Sequence, residues 1–93
     1  MIKNFKCKET KKIFGGMVSQ KFPQNIQQRA RRKLRMLSHA RDLKDLRIPP
    51  SNHLEKLVGD RLGQHSVKVN DQWRICFVWQ DGIVTDVEMV DYH

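Results

Sequence analysis

Beyond Pro50 the apolar residues recur at every second position, and this alternation constrains the chain more than any other feature. Val67, Val69, Trp73, Ile75, Phe77 and Trp79 share one face of a sheet only if Asn70, Asp71 and Gln72 form an odd, three-residue loop that pairs Val69 with Trp73. The same rule makes Gln80, Asp81 and Gly82 a second three-residue loop. It pairs Trp79 with Ile83 and puts Thr85, Val87 and Met89 on the apolar face. The opposite face then has a predicted layout, with Lys68 across from Arg74, Arg74 across from Glu88, and Tyr92 on the same side. Two cations directly opposed on a sheet cost stability unless an anion sits between or above them. Either Glu88 neutralises Arg74 while Lys68 points to water, or this face binds phosphate.

Upstream of Pro50 the period is helical. Ile26, Ala30, Leu34, Leu37 and Ala40 step by four, four, three and three, with Arg29, Arg31, Arg32, Arg35 and Arg41 mostly off that stripe. The spacing predicts an amphipathic, strongly cationic helix from Gln24, with Pro23 at or before its first turn, Leu43 and Leu46 packing near its end, and Pro49-Pro50 as the stop. Ahead of it, Ile2, Phe5 and Cys7 suggest a short strand whose parity breaks between Ile2 and Phe5. A short helix from about Lys8 to Phe14 follows, ended by Gly15-Gly16, and residues 15–24 form a mobile connection. The expected architecture is α+β, mainly an antiparallel sheet with two N-terminal helices packed on one face. A length of 93 residues leaves room for a single domain, 1–93.

The charge is lopsided. Residues 1–47 carry 14 basic and 3 acidic side chains, whereas residues 48–93 carry 4 and 7, within a formal net charge of +8. The basic half points to a polyanion or an acidic protein partner. No apolar run approaches the ~18 residues that span a bilayer, and the lysine-rich start lacks a signal peptide's apolar core, so no membrane contact is expected and the localisation reads as cytoplasmic. Two cysteines without CxxC spacing read as free thiols, Cys7 and Cys76 both being buried in strands, and neither a metal nor a cofactor is expected. Trp73, Phe77 and Trp79 share the parity of Val67 and Ile75 and read as core. His39 reads as surface and His65 as a packed or edge histidine. No short helix joined by a tight turn precedes the arginine-rich helix in the way a DNA-reading helix-turn-helix needs.

Gly59-Asp60-Arg61, the run from Gly63 to Phe77, and the terminal Val90-Asp91-Tyr92-His93 closely resemble the HigB and GraT toxins of the RelE superfamily, and the resemblance extends over nearly the whole chain. It implies the RelE-like fold and a bacterial toxin of a type II toxin-antitoxin system that cleaves messenger RNA in the A site of the 70S ribosome. It also implies a HigA-like helix-turn-helix antitoxin as partner, with operator DNA touched only through that antitoxin. On matching positions it assigns active-site roles to Asp91, Tyr92, His93 and Arg74. Some relatives carry a catalytic histidine upstream of Gly-Asp, followed by a lysine just before the glycine. Here Val58 holds the lysine's place and His53 is displaced by a couple of residues, so His53 reads as a solvated loop histidine.

The chemistry can be argued beside the resemblance. Metal-independent RNA cleavage by 2′-hydroxyl attack needs a base, cationic donors for the phosphorane, and an acid for the leaving 5′-oxygen. His93 titrates near neutrality, Arg74 and Lys68 are fixed cations on one face, and Asp91 or Tyr92 can orient or donate. Lys56 and Arg61 read either as phosphate contacts or as surface charges, and Arg29 and Arg32 on the basic helix as RNA contacts. The alternative is a noncatalytic basic module that binds RNA or the ribosome and inhibits translation through the same surface.

Overall fold

The computed structural model describes residues 1–91; Tyr92 and His93, named above as site residues, lie outside the described residues. Two helices, α1 (Lys8–Phe14) and α2 (Gln24–His39), precede four strands, β1 (Glu55–Lys56), β2 (Gln64–Lys68), β3 (Trp73–Gln80) and β4 (Ile83–Asp91). The strands form one antiparallel sheet in the order β1-β2-β3-β4. Single 3-10 turns at Leu43–Arg47, Pro50–Asn52 and Gly59–Arg61 fill the connections.

Helix α2 forms where the stripe places it, and Ile26, Ala30, Leu34 and Leu37 are all buried on the side that meets the sheet. They join Ile13 of α1 and Val67, Val69, Ile75, Phe77, Val84, Val87 and Met89 in one apolar cluster. The helix stops at Ala40, whose backbone is extended. Asp42 and Asp45 then form a reciprocal capping box that starts the turn Leu43–Arg47 and seats Leu46 in the core. Shortening a fully buried side chain without disturbing its chemistry tests this packing. Ile75→Val is expected to lower stability by about 0.5–1.5 kcal/mol, read as a fall in the urea midpoint with an unchanged m-value.

The first hairpin has the expected register. Val69 N–H donates to the Trp73 carbonyl at 2.9 Å, and Lys68 stands opposite Arg74. The second hairpin departs from expectation. Gln80 pairs with Ile83 and Trp79 with Val84, so the turn holds only Asp81 and Gly82, both with positive φ (51° and 81°). Val84, not Ile83 or Thr85, therefore enters the core. A bulge between Cys76 and Val78 then shifts the register by one more residue, with Asp86 in the left-handed region (φ 54°). After it Val87 and Met89 are back on the apolar face, but Arg74 faces Val90, and Glu88 faces Cys76.

The opening segment follows the same bulge. It makes isolated parallel bridges, Ile2 to Val84 and Phe5 to Val87, instead of a continuous strand. The step of three on both sides matches the parity break between Ile2 and Phe5. Asn4 Oδ1 accepts the Asp86 N–H at 2.6 Å and so holds the bulged residue. Cys7 lies beyond these bridges, half-buried at the start of α1, while Cys76 is buried on the face away from the helices, where burial raises its thiol pKa.

Residues 15–24 carry contacts that a mobile connection lacks. The Gln27 amide donates to the carbonyls of Ser19 and Phe22 at 2.8 and 2.9 Å and accepts the Ser19 N–H at 2.9 Å, while the Ser19 hydroxyl donates to Glu9. At Gly16 (φ 86°) the Arg31 guanidinium comes within 3.0 Å of the position a Cβ would occupy, so both the backbone and the close approach call for glycine.

Candidate RNA-binding and cleavage site

Strand β1 is only two residues long and pairs with Ser66 and His65, which leaves the far end of β2 without a strand neighbour on that side. There a cleft of about 580 Å³ opens between α2, the segment after Pro49, and the β2–β3 hairpin. Arg29, Arg32, Lys33 and Met36 line it from α2, with Pro49, Ser51 and His53 from the connection and Lys68, Val69, Asn70 and Asp71 from the hairpin. The positions 29, 32, 33 and 36 fall on one flank of α2, since 32 and 33 lie three and four residues beyond 29 and four and three short of 36. Arg29 is tied to the hairpin by a bond from Nη1 to the Val69 carbonyl, 3.3 Å.

The cations crowd one another. Burial first, and then the positive charges of Arg29 and Arg32, hold the Lys33 ammonium below the ordinary lysine pKa. Lys33 Nζ donates to Oδ1 of Asn52, a fully buried amide whose Nδ2 donates to the carbonyls of Leu46 and Ile48 at 3.0 and 3.4 Å. One residue on, His53 takes the left-handed conformation (φ 43°), is exposed at the cleft wall, and offers its carbonyl to Arg74 Nη2.

Arg74 is therefore built in. It is 7% exposed; Nε donates to Ser66 Oγ at 2.7 Å, Nη2 also reaches the Ser66 carbonyl at 3.4 Å, and Nη1 lies 3.9 Å from Glu55. Among the described residues that last separation is an ion pair beyond hydrogen-bond length, one with which an incoming anion competes. Next to Arg74 on β3, Trp73 pairs with Asp91, which delivers the end of β4 to the same end of the sheet. Asp91 Oδ2 accepts a bond from Gln72 Nε2 at 3.0 Å.

The structure thus brings together Arg29, Arg32 and Lys68 in one cleft and sets Arg74 opposite Lys68, whereas Asp91, paired with Trp73, lies one register position on and on the alternate face of the pleat. Arg61 and Lys56 are not among the residues that line the cleft. Arg61 Nη1 is held by Glu88 at 2.8 Å and by Gln64 at 3.1 Å, so Glu88 pairs with Arg61, and with Lys6 at 3.9 Å, instead of neutralising Arg74. Lys56 is exposed on the edge strand, and its charge adds to burial in lowering the pKa of His65, which stacks on Phe77 with centroids 6.0 Å apart. Sequence reasoning missed Lys33, Asn52, Asp71 and Ser66, and set His53 aside. Only Lys33 carried a readable signal, lying one turn beyond Arg29 on the same flank.

The comparisons with known proteins agree with this architecture. The family described as the RelE-like toxin of the type II toxin-antitoxin system HigB matches residues 3–93. Toxin HigB-1 of Vibrio cholerae serotype O1 is 44% identical over 61 residues, which is 66% of this chain and 64% of that protein, so the match spans somewhat less than two thirds of the relative. An uncharacterized protein of Haemophilus influenzae is 35% identical over 72 residues, 77% of this chain and 71% of its own length. Among solved structures, the YoeB-YefM toxin-antitoxin heterotetramer from Staphylococcus aureus contains a chain with the same fold, at a TM-score of 0.57 and 18% identity, covering 100% of this chain and 95% of that one. By the match over residues 3–93, this chain belongs to the HigB-like family of RelE-like toxins.

Proposed function

We propose that this chain is the toxin of a type II toxin-antitoxin pair and inhibits translation as a ribosome-dependent endoribonuclease, cutting messenger RNA in the ribosomal A site. The observation that carries the reading is a buried Arg74 held by Ser66 and the His53 carbonyl beside the end of β4, flanked across the hairpin by Lys68 and the cationic cleft. In this reading the ribose 2′-hydroxyl attacks the adjacent phosphorus, the P–O5′ bond breaks, and a 2′,3′-cyclic phosphate and a 5′-hydroxyl result. Arg74 and Lys68 stabilise the added charge on the phosphorane, while His93, Tyr92 and Asp91 supply, accept or orient the protons, without a metal or cofactor. Arg29 and Arg32 hold RNA by its phosphates.

The family and the charge support an antitoxin as partner. An antitoxin of the HigA-like helix-turn-helix class restrains the toxin, and operator DNA is reached only through it. An excess of eight positive charges favours a cover that is acidic or large. None of the helices among the described residues is long and apolar enough to cross a membrane. With ribosomes and messenger RNA as its targets in this reading, the protein acts in the cytoplasm.

The test is incubation of the untagged protein with programmed ribosomes and, separately, with the same naked messenger, followed by primer extension. Cuts in the A site only with ribosomes are expected. His93→Ala should lower the rate by at least about a hundredfold with ribosome binding retained. Ribosome binding without cuts, in the unaltered protein, would replace the enzyme by a noncatalytic inhibitor of translation.

A further inference from the structure

The cationic cleft carries one anion of its own. Asp71 Oδ1 lies 2.9 Å from Lys68 Nζ, with the aspartate side chain fully exposed and the lysine side chain 30% exposed. The hydrogen bond from Lys68, and then its charge, hold the Asp71 carboxyl below the ordinary aspartate pKa. The carboxylate is not what fastens the turn. Asn70 Oδ1 does that, accepting from the Gln72 N–H at 2.9 Å and from the Trp73 N–H at 2.7 Å. Lys68, by contrast, is fixed by its ladder position opposite Arg74.

An exposed ion pair at a loop tip is held weakly. A phosphodiester entering the cleft meets Arg29, Arg32, Lys33 and Lys68 together, and forked guanidinium contacts to its oxygens are stronger than one lysine-carboxylate contact. We propose that Asp71 is an exchangeable counterion of the cleft, which occupies Lys68 in the unbound protein and is displaced when an RNA phosphodiester enters between Lys68 and the arginines of α2. The displacement lowers affinity for any polyanion and makes entry depend on several phosphate contacts at once. Because Lys68 stands opposite Arg74, a strand that has displaced Asp71 runs on to Arg74 and the end of β4. The proposal shares with the functional reading only that the ligand is RNA, and does not require cleavage.

A short single-stranded RNA with 2′-O-methyl riboses, which 2′-hydroxyl attack cannot cut, is the probe. Asp71→Asn is expected to bind it about two- to fivefold more tightly than the unaltered protein. Its affinity should also fall more steeply with salt, by about one released ion, since no freed carboxylate recruits a cation on binding. Lys68→Gln should weaken binding and remove most of the gain from Asp71→Asn, because the aspartate then has no ammonium to mask. Equal or weaker binding by Asp71→Asn overturns the proposal, as does an equal gain in both backgrounds, which would be a general charge effect. No measurable binding of the probe to either protein also overturns it. Failure of cleavage on ribosomes with these affinities intact would remove the enzymatic reading and leave the counterion in place.

Discussion

Arg74→Lys is expected to slow messenger cleavage on ribosomes by at least about a hundredfold, although the charge is conserved. The fork is what is lost. The guanidinium reaches Ser66 Oγ, the Ser66 carbonyl and the His53 carbonyl while directing Nη1 toward Glu55 and whatever anion replaces it. A single ammonium cannot keep those acceptors and also present a donor to a phosphorane. Leaving buried acceptors without donors should cost about 1–3 kcal/mol of stability as well, so rates must be compared at equal folded fraction after a urea titration. A lysine variant that cuts at the unaltered rate would show that charge alone is required, and would move the catalytic burden to the residues that follow Asp91.

That placement of Arg74 was only half legible in the sequence. The first hairpin was readable because Val67, Val69, Trp73 and Ile75 are large and apolar, and a one-residue slip would expose all of them. The second hairpin hides two shifts that cancel in parity. A two-residue turn in place of three flips the faces, and the bulge at Asp86 flips them back, so Val87 and Met89 stayed on the expected face while Arg74 moved from Glu88 to Val90. Nothing local marks the bulge. Asp86 holds its left-handed backbone beside Asn4, 82 residues away in the chain, and a contact of that span has no sequence period.

The cleft was illegible for a similar reason. Arg29, Arg32 and Lys68 were each singled out for charge, yet their convergence depends on a connection whose path no periodicity describes. Asp42 and Asp45 turn the chain after α2, and Asn52 then anchors the segment that carries His53. The helices and the core, set by stripes of period 3.6 and 2, were correct in kind. The pairing of Glu88 was not, because Arg61 arrives from a 3-10 turn and takes the carboxylate that the expected register gave to Arg74.

Asn52→Ala should be the most damaging change in this connection, with an expected loss of about 2–4 kcal/mol. The residue is 1% exposed and makes three bonds, giving Nδ2 to the carbonyls of Leu46 and Ile48 and taking Lys33 Nζ on Oδ1. Truncation leaves two carbonyls and an ammonium without these partners, and an ammonium already crowded by Arg29 and Arg32 is the hardest of the three to leave so. The loss should extend to function, since the adjoining His53 carbonyl is one of the acceptors that orient Arg74. Cleavage should therefore fall even when scaled to folded protein. Asn52→Asp separates the contributions. It keeps an oxygen for Lys33 but sets a carboxylate against two carbonyl oxygens, so it should fail to restore the urea midpoint if the amide donors hold the segment. Full recovery with aspartate would instead show that the lysine contact alone anchors it.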